Sequence, residues 1–144
     1  MAWRIAALRW RSSWANGVLV IEHLLLDRDI AEEWWRDHRH GGYFHGGSSP
    51  EEFGDAESDR AVRVASFIQD RACDPKTLGQ VLRLFAATAQ DSEELAFVGT
   101  THLEDAYFLA PPGRVPLGHR ALDILHTSGL PPETVTGILR GFQR

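Results

Sequence analysis

Residues 74–89, DPKTLGQVLRLFAATA, decide the fold. Asp74 is a residue type that accepts hydrogen bonds from the free amides of a helix's first turn. Pro75 suits the first helical position, where its missing N–H is not needed. Leu78, Val81, Leu82, Phe85 and Ala89 then recur at i, i+3, i+4, i+7 and i+11, the stripe of an amphipathic helix.

The same punctuation recurs on both sides. Upstream, Ser49-Pro50-Glu51-Glu52 reads as a helix start, with Ser49 as cap, Pro50 at the first position and Glu52 reaching back in a capping box. The helix it opens carries Ala61, Val64, Ala65, Ile68 and Ala72 on its apolar side. Downstream, Asp91 or Ser92 caps a short helix through Leu95 and Val98, and Gly99 closes it. Thr101-His102-Leu103-Glu104 reads as a second capping box, whose short helix stops before Pro111-Pro112-Gly113. A helix over about 117–127 is stopped by Gly129, and Pro131-Pro132 lead into a last one bearing Val135, Ile138, Leu139 and Phe142.

Toward the N-terminus the pattern is less sharp. Trp3, Ala7, Trp10 and Trp14 recur at helical spacing and favour a short helix, while Ala15-Asn16-Gly17 before the β-prone Val18 to Ile21 would make a hairpin. Of the two, helix is preferred. The next helix is expected from residue 18 or 22 to His38, with Leu26, Ile30 and Trp34 on one stripe. Gly41-Gly42 end it, and residues 41–48 read as a mobile connector. The whole predicts an all-α protein, residues 1–144 forming one compact domain of about six to eight helices.

Composition narrows the function classes. The chain of 144 residues has 43% hydrophobic and 24% charged residues, an ordinary globular balance. Cys73 is the sole cysteine, which excludes an internal disulfide and any CxxC-type zinc site. The apolar run Val18 to Leu26 is interrupted by Glu22 and His23 and is far short of the roughly 20 residues that span a bilayer. Without a small-residue cleavage site after it, neither a signal peptide nor a membrane span is expected, and the location expected is cytoplasmic. The net charge of −5 is uneven: +3 over residues 1–21, −10 over 22–105 and +2 over 106–144. An acidic central body repels nucleic acid and attracts a basic partner.

Four clusters invite a chemical reading. His38, His40 and His45 fall within eight residues, WWRDHRHGGYFHGG over 34–47. On a helix His38 and His40 lie about 200° apart and cannot chelate one ion, and no Cys or HExxH supplies further ligands. They are expected instead at a helix C-terminus, where a protonated histidine complements the macrodipole. His119, Asp123 and His126 share one helix face that is expected to be solvated. In Thr101–Asp105 the capping box accounts for Thr101 and Glu104, leaving His102 and Asp105 to face a partner. Residues 121–141 have the outline of a helix-turn-helix, but Arg140 and the terminal Arg144 are few cations for phosphate binding. No catalytic residue, metal or cofactor is assigned.

The aromatics complete the picture. Trp34 and Trp35 are neighbours, about 100° apart on a helix, so one is expected to be exposed among acids, as an interface anchor would be. The segment Glu94-Leu95-Ala96-Phe97-Val98-Gly99 through Leu103-Glu104-Asp105 resembles a bacterial all-helical family, a domain of unknown function with a Leu-Glu-Asp-Leu-Leu segment, over about residues 60–142. Ala106 and Tyr107 replace that family's leucine pair. The resemblance implies an all-α fold and no catalytic residues. In size, acidity and aromatic content the chain is similar to immunity proteins, which bind and block a cognate toxin. The expected function is therefore non-enzymatic binding of a protein partner, a toxin with a basic surface. The contact residues would be Glu32, Glu33, Trp35, Asp37, Tyr43, Glu51, Glu52, Asp55, Glu57, Asp59 and Asp105. The alternatives are a helix-turn-helix DNA-binding regulator, and an enzyme using histidine and carboxylate groups such as His102 and His119.

Overall fold

The computed structural model describes residues 13–15, 18–20, 23–40 and 55–142, with side chains described for 23–39 and 59–142. Apart from one short pair of strands the regular elements of these residues are helices, and the fold class is all-α. The chain divides into two compact units, Met1–Phe67 and Ile68–Arg144.

The first unit opens with strands β1 (Ser13–Ala15) and β2 (Val18–Val20), paired antiparallel with Ala15 opposite Val18 and Ser13 opposite Val20. The preferred helical reading therefore fails over these residues. The pairing follows the β-prone character of these residues, which outweighs the tryptophan spacing. Helix α1 (Arg28–His40) starts later and ends later than expected. Asp27 sets its start: its Oδ1 accepts from the Ile30 amide at 2.9 Å, and its carbonyl accepts from Ala31. Ile30, Ala31, Trp34 and Trp35 are all buried, an arc of about 140° on the helix. That arc corrects the expectation that one tryptophan of the pair is exposed. The two indoles meet edge-on at 5.0 Å, and among the described residues of this unit Ala61, Val64 and Phe67 are buried as well.

Helix α2 (Asp55–Ala72) begins in the first unit and supplies its last residues, from Ile68, to the second. The proposed start at Ser49–Glu52 and the connector at 41–48 lie outside the described residues. Helix α3 (Leu78–Thr88) buries Leu78, Val81, Leu82 and Phe85, as the stripe predicts. It starts later than the expected cap at Asp74 and first position at Pro75: Thr77 is its N-cap, without a capping side-chain bond. Asp74 instead closes a turn over 75–77, its Oδ1 accepting from Lys76 N at 2.9 Å and its carbonyl from Leu78 N.

Residues 92–108 depart most from the expectation. Helix α4 (Ser92–Val98), a π segment (Gly99–Leu103) and helix α5 (Glu104–Phe108) follow one another without leaving helical dihedrals. Asp91 caps the start by accepting from Glu94 N at 2.9 Å, while Glu94 Oε1 takes the Gln90 amide at 2.7 Å. There is no second capping box. The Thr101 hydroxyl donates back to the Phe97 carbonyl at 2.7 Å, and Thr100 donates to Ala96 and Gly141 carbonyls at 3.3 Å each. These hydroxyls compete for the i−4 carbonyls and the ladder widens, the Glu104 amide bonding Gly99 five residues back.

The expected break at Gly99 is absent because that glycine serves packing. A Cβ there would lie 1.9 Å from the Ile138 carbonyl oxygen, and one at Gly141 would lie 1.7 Å from that of Ala96. Helix α7 (Pro132–Phe142) thus meets α4 and the π segment backbone to backbone. Between them in sequence, α6 (His119–His126) is followed by Gly129, whose φ of +85° is the left-handed conformation that glycine adopts at low cost. Leu103, Ala106, Ala121, Leu125, Val135 and Ile138 join the α3 stripe in this unit's core. Each such aliphatic residue larger than alanine contributes about 1.5–3 kcal/mol by burial.

Candidate functional site

The acidic positions expected to meet a partner are placed unequally. Tyr43, Glu51 and Glu52 lie outside the described residues. Asp55 and Glu57 sit on α2 in backbone only. Glu32 pairs with Arg28 one turn back at 3.5 Å. Glu33 accepts two bonds from the Arg60 guanidinium, at 2.7 and 3.0 Å. Burial raises the Glu33 carboxyl above its ordinary value, Asp37 adds to this and Arg36 opposes it. Burial, with Arg63 nearby, lowers Arg60. Both partners lose solvation, so the pair stabilises little beyond fixing its own geometry. Asp37 is half-buried and Asp59 exposed.

Trp35 is fully buried, with the Arg39 guanidinium 4.9 Å over its ring, and is not a contact residue. His38 is turned inward too. Its ring stacks on Trp34 at 3.6 Å and donates from Nδ1 to the Trp34 carbonyl at 2.7 Å. Burial pushes its pKa down to about 4 against that hydrogen bond, so it is neutral near pH 7 and gives the helix dipole no charge. This corrects the cationic role expected of it. An open cleft of about 210 Å³ lies at the start of α1, lined by His23, Leu24, Leu25, Asp27, Asp29, Ile30, Glu33 and Arg60. Among the described residues no three histidine, cysteine or acidic side chains are grouped to hold a metal ion.

In the second unit the surface carries a feature that charge counting missed. Tyr107 and Phe108, at the end of α5, stand beside Phe142 at the end of α7. Ring centroids are 4.6 Å apart for Tyr107–Phe108, 5.2 Å for Tyr107–Phe142 and 6.3 Å for Phe108–Phe142. Phe108 is 61% exposed, and Val115, on the loop that follows, 78%. His119 extends the patch, its ring edge-on to Tyr107 at 5.4 Å and its Nε2 3.3 Å from the Tyr107 hydroxyl. Asp123 and His126 are exposed, as expected of that face.

Two residues before Tyr107, Asp105 belongs to a polar cluster. Asp105 is half-buried, not offered to a partner, and its Oδ2 accepts from Gln69 Nε2 at 3.4 Å. Burial raises its carboxyl to about 6; the Gln69 bond lowers it and Glu104 raises it. The Cys73 thiol reaches the Asp105 carbonyl at 3.5 Å, and burial, with the Asp105 charge next, pushes it up to about 12. Residues 109–118 cross as a strap. Leu117 N donates to Ala106 O at 3.1 Å, Gly118 N to Tyr107 O at 3.2 Å, and Arg114 to the buried Asp70 at 2.7 Å. His102 is also buried, its ring 4.2 Å from that of Phe85, and is not placed to serve a substrate at the surface.

No family model, curated protein or solved structure matches the chain. The described residues include no helix long and apolar enough to cross a membrane.

Proposed function

We propose that this chain is a non-enzymatic protein-binding module whose contact surface is the Tyr107–Phe108–Phe142 patch. The observation that carries the reading is an aromatic cluster at the surface with Phe108 61% exposed. Clustered aromatics of this kind are the usual energetic centre of a protein interface, because they bury large area with little loss of side-chain freedom. The narrower form is immunity-like: a cytoplasmic bacterial protein that covers the basic surface of a toxin. The net charge of −5 supports it, steering a basic partner toward the chain before the aromatics dock.

Photo-crosslinking tests the reading. A crosslinking residue at 108 or 142 should trap one protein, while the same residue at the exposed Thr136 should not. That protein should carry a basic surface, and binding should weaken with salt. Equal trapping from 108 and 136 would overturn the reading. A salt-insensitive complex would remove its electrostatic part and leave the aromatic part standing.

A further inference from the structure

We infer that the aromatic cluster is an arginine-binding site: the partner lays the guanidinium of one arginine over Tyr107, Phe108 and Phe142, with Glu104 as its acceptor and Asp123 adding negative charge alongside. This rests on the reading of the patch as a contact surface, and it names the side chain that the surface takes.

The ring geometry carries it. Phe108 and Phe142 lie within 20° of parallel, and Tyr107 is inclined to them by 58° and 57°. The three centroids form a triangle with sides of 4.6, 5.2 and 6.3 Å. A charge seated about 3.5 Å above that triangle is about 5 Å from every centroid, inside the roughly 6 Å at which a ring attracts a cation. The cluster opens to solvent, Phe108 being mostly exposed and Tyr107 and Phe142 half-buried.

The charges around the rings favour a cation. Glu104 stands three residues before Tyr107 and four before Phe108, so all three share one side of α5. Asp123 follows His119 by one turn of α6, and the His119 ring meets that of Tyr107. Among the described residues neither carboxylate is in an ion pair. The cations of this unit that lie close in sequence are turned away or engaged. Arg114 is held by Asp70 at 2.7 Å. Arg140 lies about 200° round α7 from Phe142, and Arg120 about 100° round α6 from His119, against about 40° for Asp123. Arginine fits the site better than lysine, because its planar guanidinium stacks on a ring and forks to a carboxylate at once.

Nuclear magnetic resonance of the isolated full chain tests this without any partner. The probe is the end-blocked tripeptide Gly-Arg-Gly. Its controls are the citrulline tripeptide, of the same shape without the charge, and choline, a cation without N–H donors. Gly-Arg-Gly should move the ring resonances of Tyr107, Phe108 and Phe142 and saturate below about 50 mM. The citrulline peptide and choline should each bind about 5-fold or more weakly. Glu104→Gln, which removes the acceptor's charge, and Phe108→Leu, which removes one ring, should each weaken Gly-Arg-Gly binding about 2- to 10-fold. Ring resonances that ignore Gly-Arg-Gly would overturn the inference. So would either control binding as tightly, or either variant binding as the parent does. The reading of the patch fails separately, when the peptide binds but a crosslinking residue at 108 traps no protein.

Discussion

Gly141→Ala would put a methyl carbon 1.7 Å from the Ala96 carbonyl oxygen, 2.5 Å from its carbon and 2.9 Å from Thr100 Oγ1. An ordinary contact is about 3.4 Å or longer, so α7 must retreat from α4 by roughly 1.5 Å or more. Neither neighbour can yield, because the obstacle is helix backbone. The retreat takes Val135 and Ile138 partly out of contact and breaks the Thr100 bond to the Gly141 carbonyl. Overpacking costs about 1–3 kcal/mol and the hydrogen bond about 1. Alanine's better helix propensity returns about 1. The net loss is about 1–3 kcal/mol, a sizeable share of the 5–15 kcal/mol typical of a domain. Gly137→Ala is the internal control. Its methyl would meet the Leu95 side chain, nearest at Cδ2 at 2.5 Å, and the far end of that side chain can rotate away. Its change should stay within about 1 kcal/mol. Urea unfolding of the three proteins reads both numbers, and a Gly141→Ala chain as stable as Gly137→Ala would refute the close helix contact.

Three further outcomes follow from the packing and the charges. Trp35→Ala, which empties a fully buried site, should cost about 3–5 kcal/mol by denaturant unfolding, whereas an exposed tryptophan would cost little. Cys73, buried and with its thiol pushed up to about 12, should react with a disulfide reagent only through unfolding, so labelling and unfolding rates should match. The Asp105 carboxyl, raised in the fold from 3.8 to about 6, stabilises fully below about pH 4 and loses that contribution as pH rises through about 6. Asp105→Asn should therefore gain about 1–3 kcal/mol over the parent at about pH 7.5 and lose the advantage near pH 4, which unfolding at both values would show.

The helices of the second unit were legible because their signals are local. Asp91, Gly129 and Pro131-Pro132 each act within a few residues, and the α3 stripe is a simple period. The π segment was not legible. Thr101 and Glu104 fit a capping box in sequence, and only the backbone approach at Gly99 and Gly141, 42 residues apart, keeps the chain helical there. Trp34 and Trp35 failed for a related reason: a helix covered over a wide arc buries neighbours that a narrow stripe would separate. The start of α1 was misplaced because the apolar run before it was read into the helix, whereas Asp27 caps it. The site was least legible. Charge was visible residue by residue, yet Arg28 and Arg60 pair with Glu32 and Glu33. The aromatic patch joins residues 107, 108, 119 and 142, which no local pattern connects.

The most direct test of the account is the affinity of the captured partner for the parent chain and for Phe108→Asp. Phe108 is mostly exposed, so the substitution should leave thermal stability unchanged within about 0.5 kcal/mol. The account predicts a loss of affinity of about 30-fold or more, the effect of removing an interface centre. Unchanged affinity in a folded Phe108→Asp chain would contradict it.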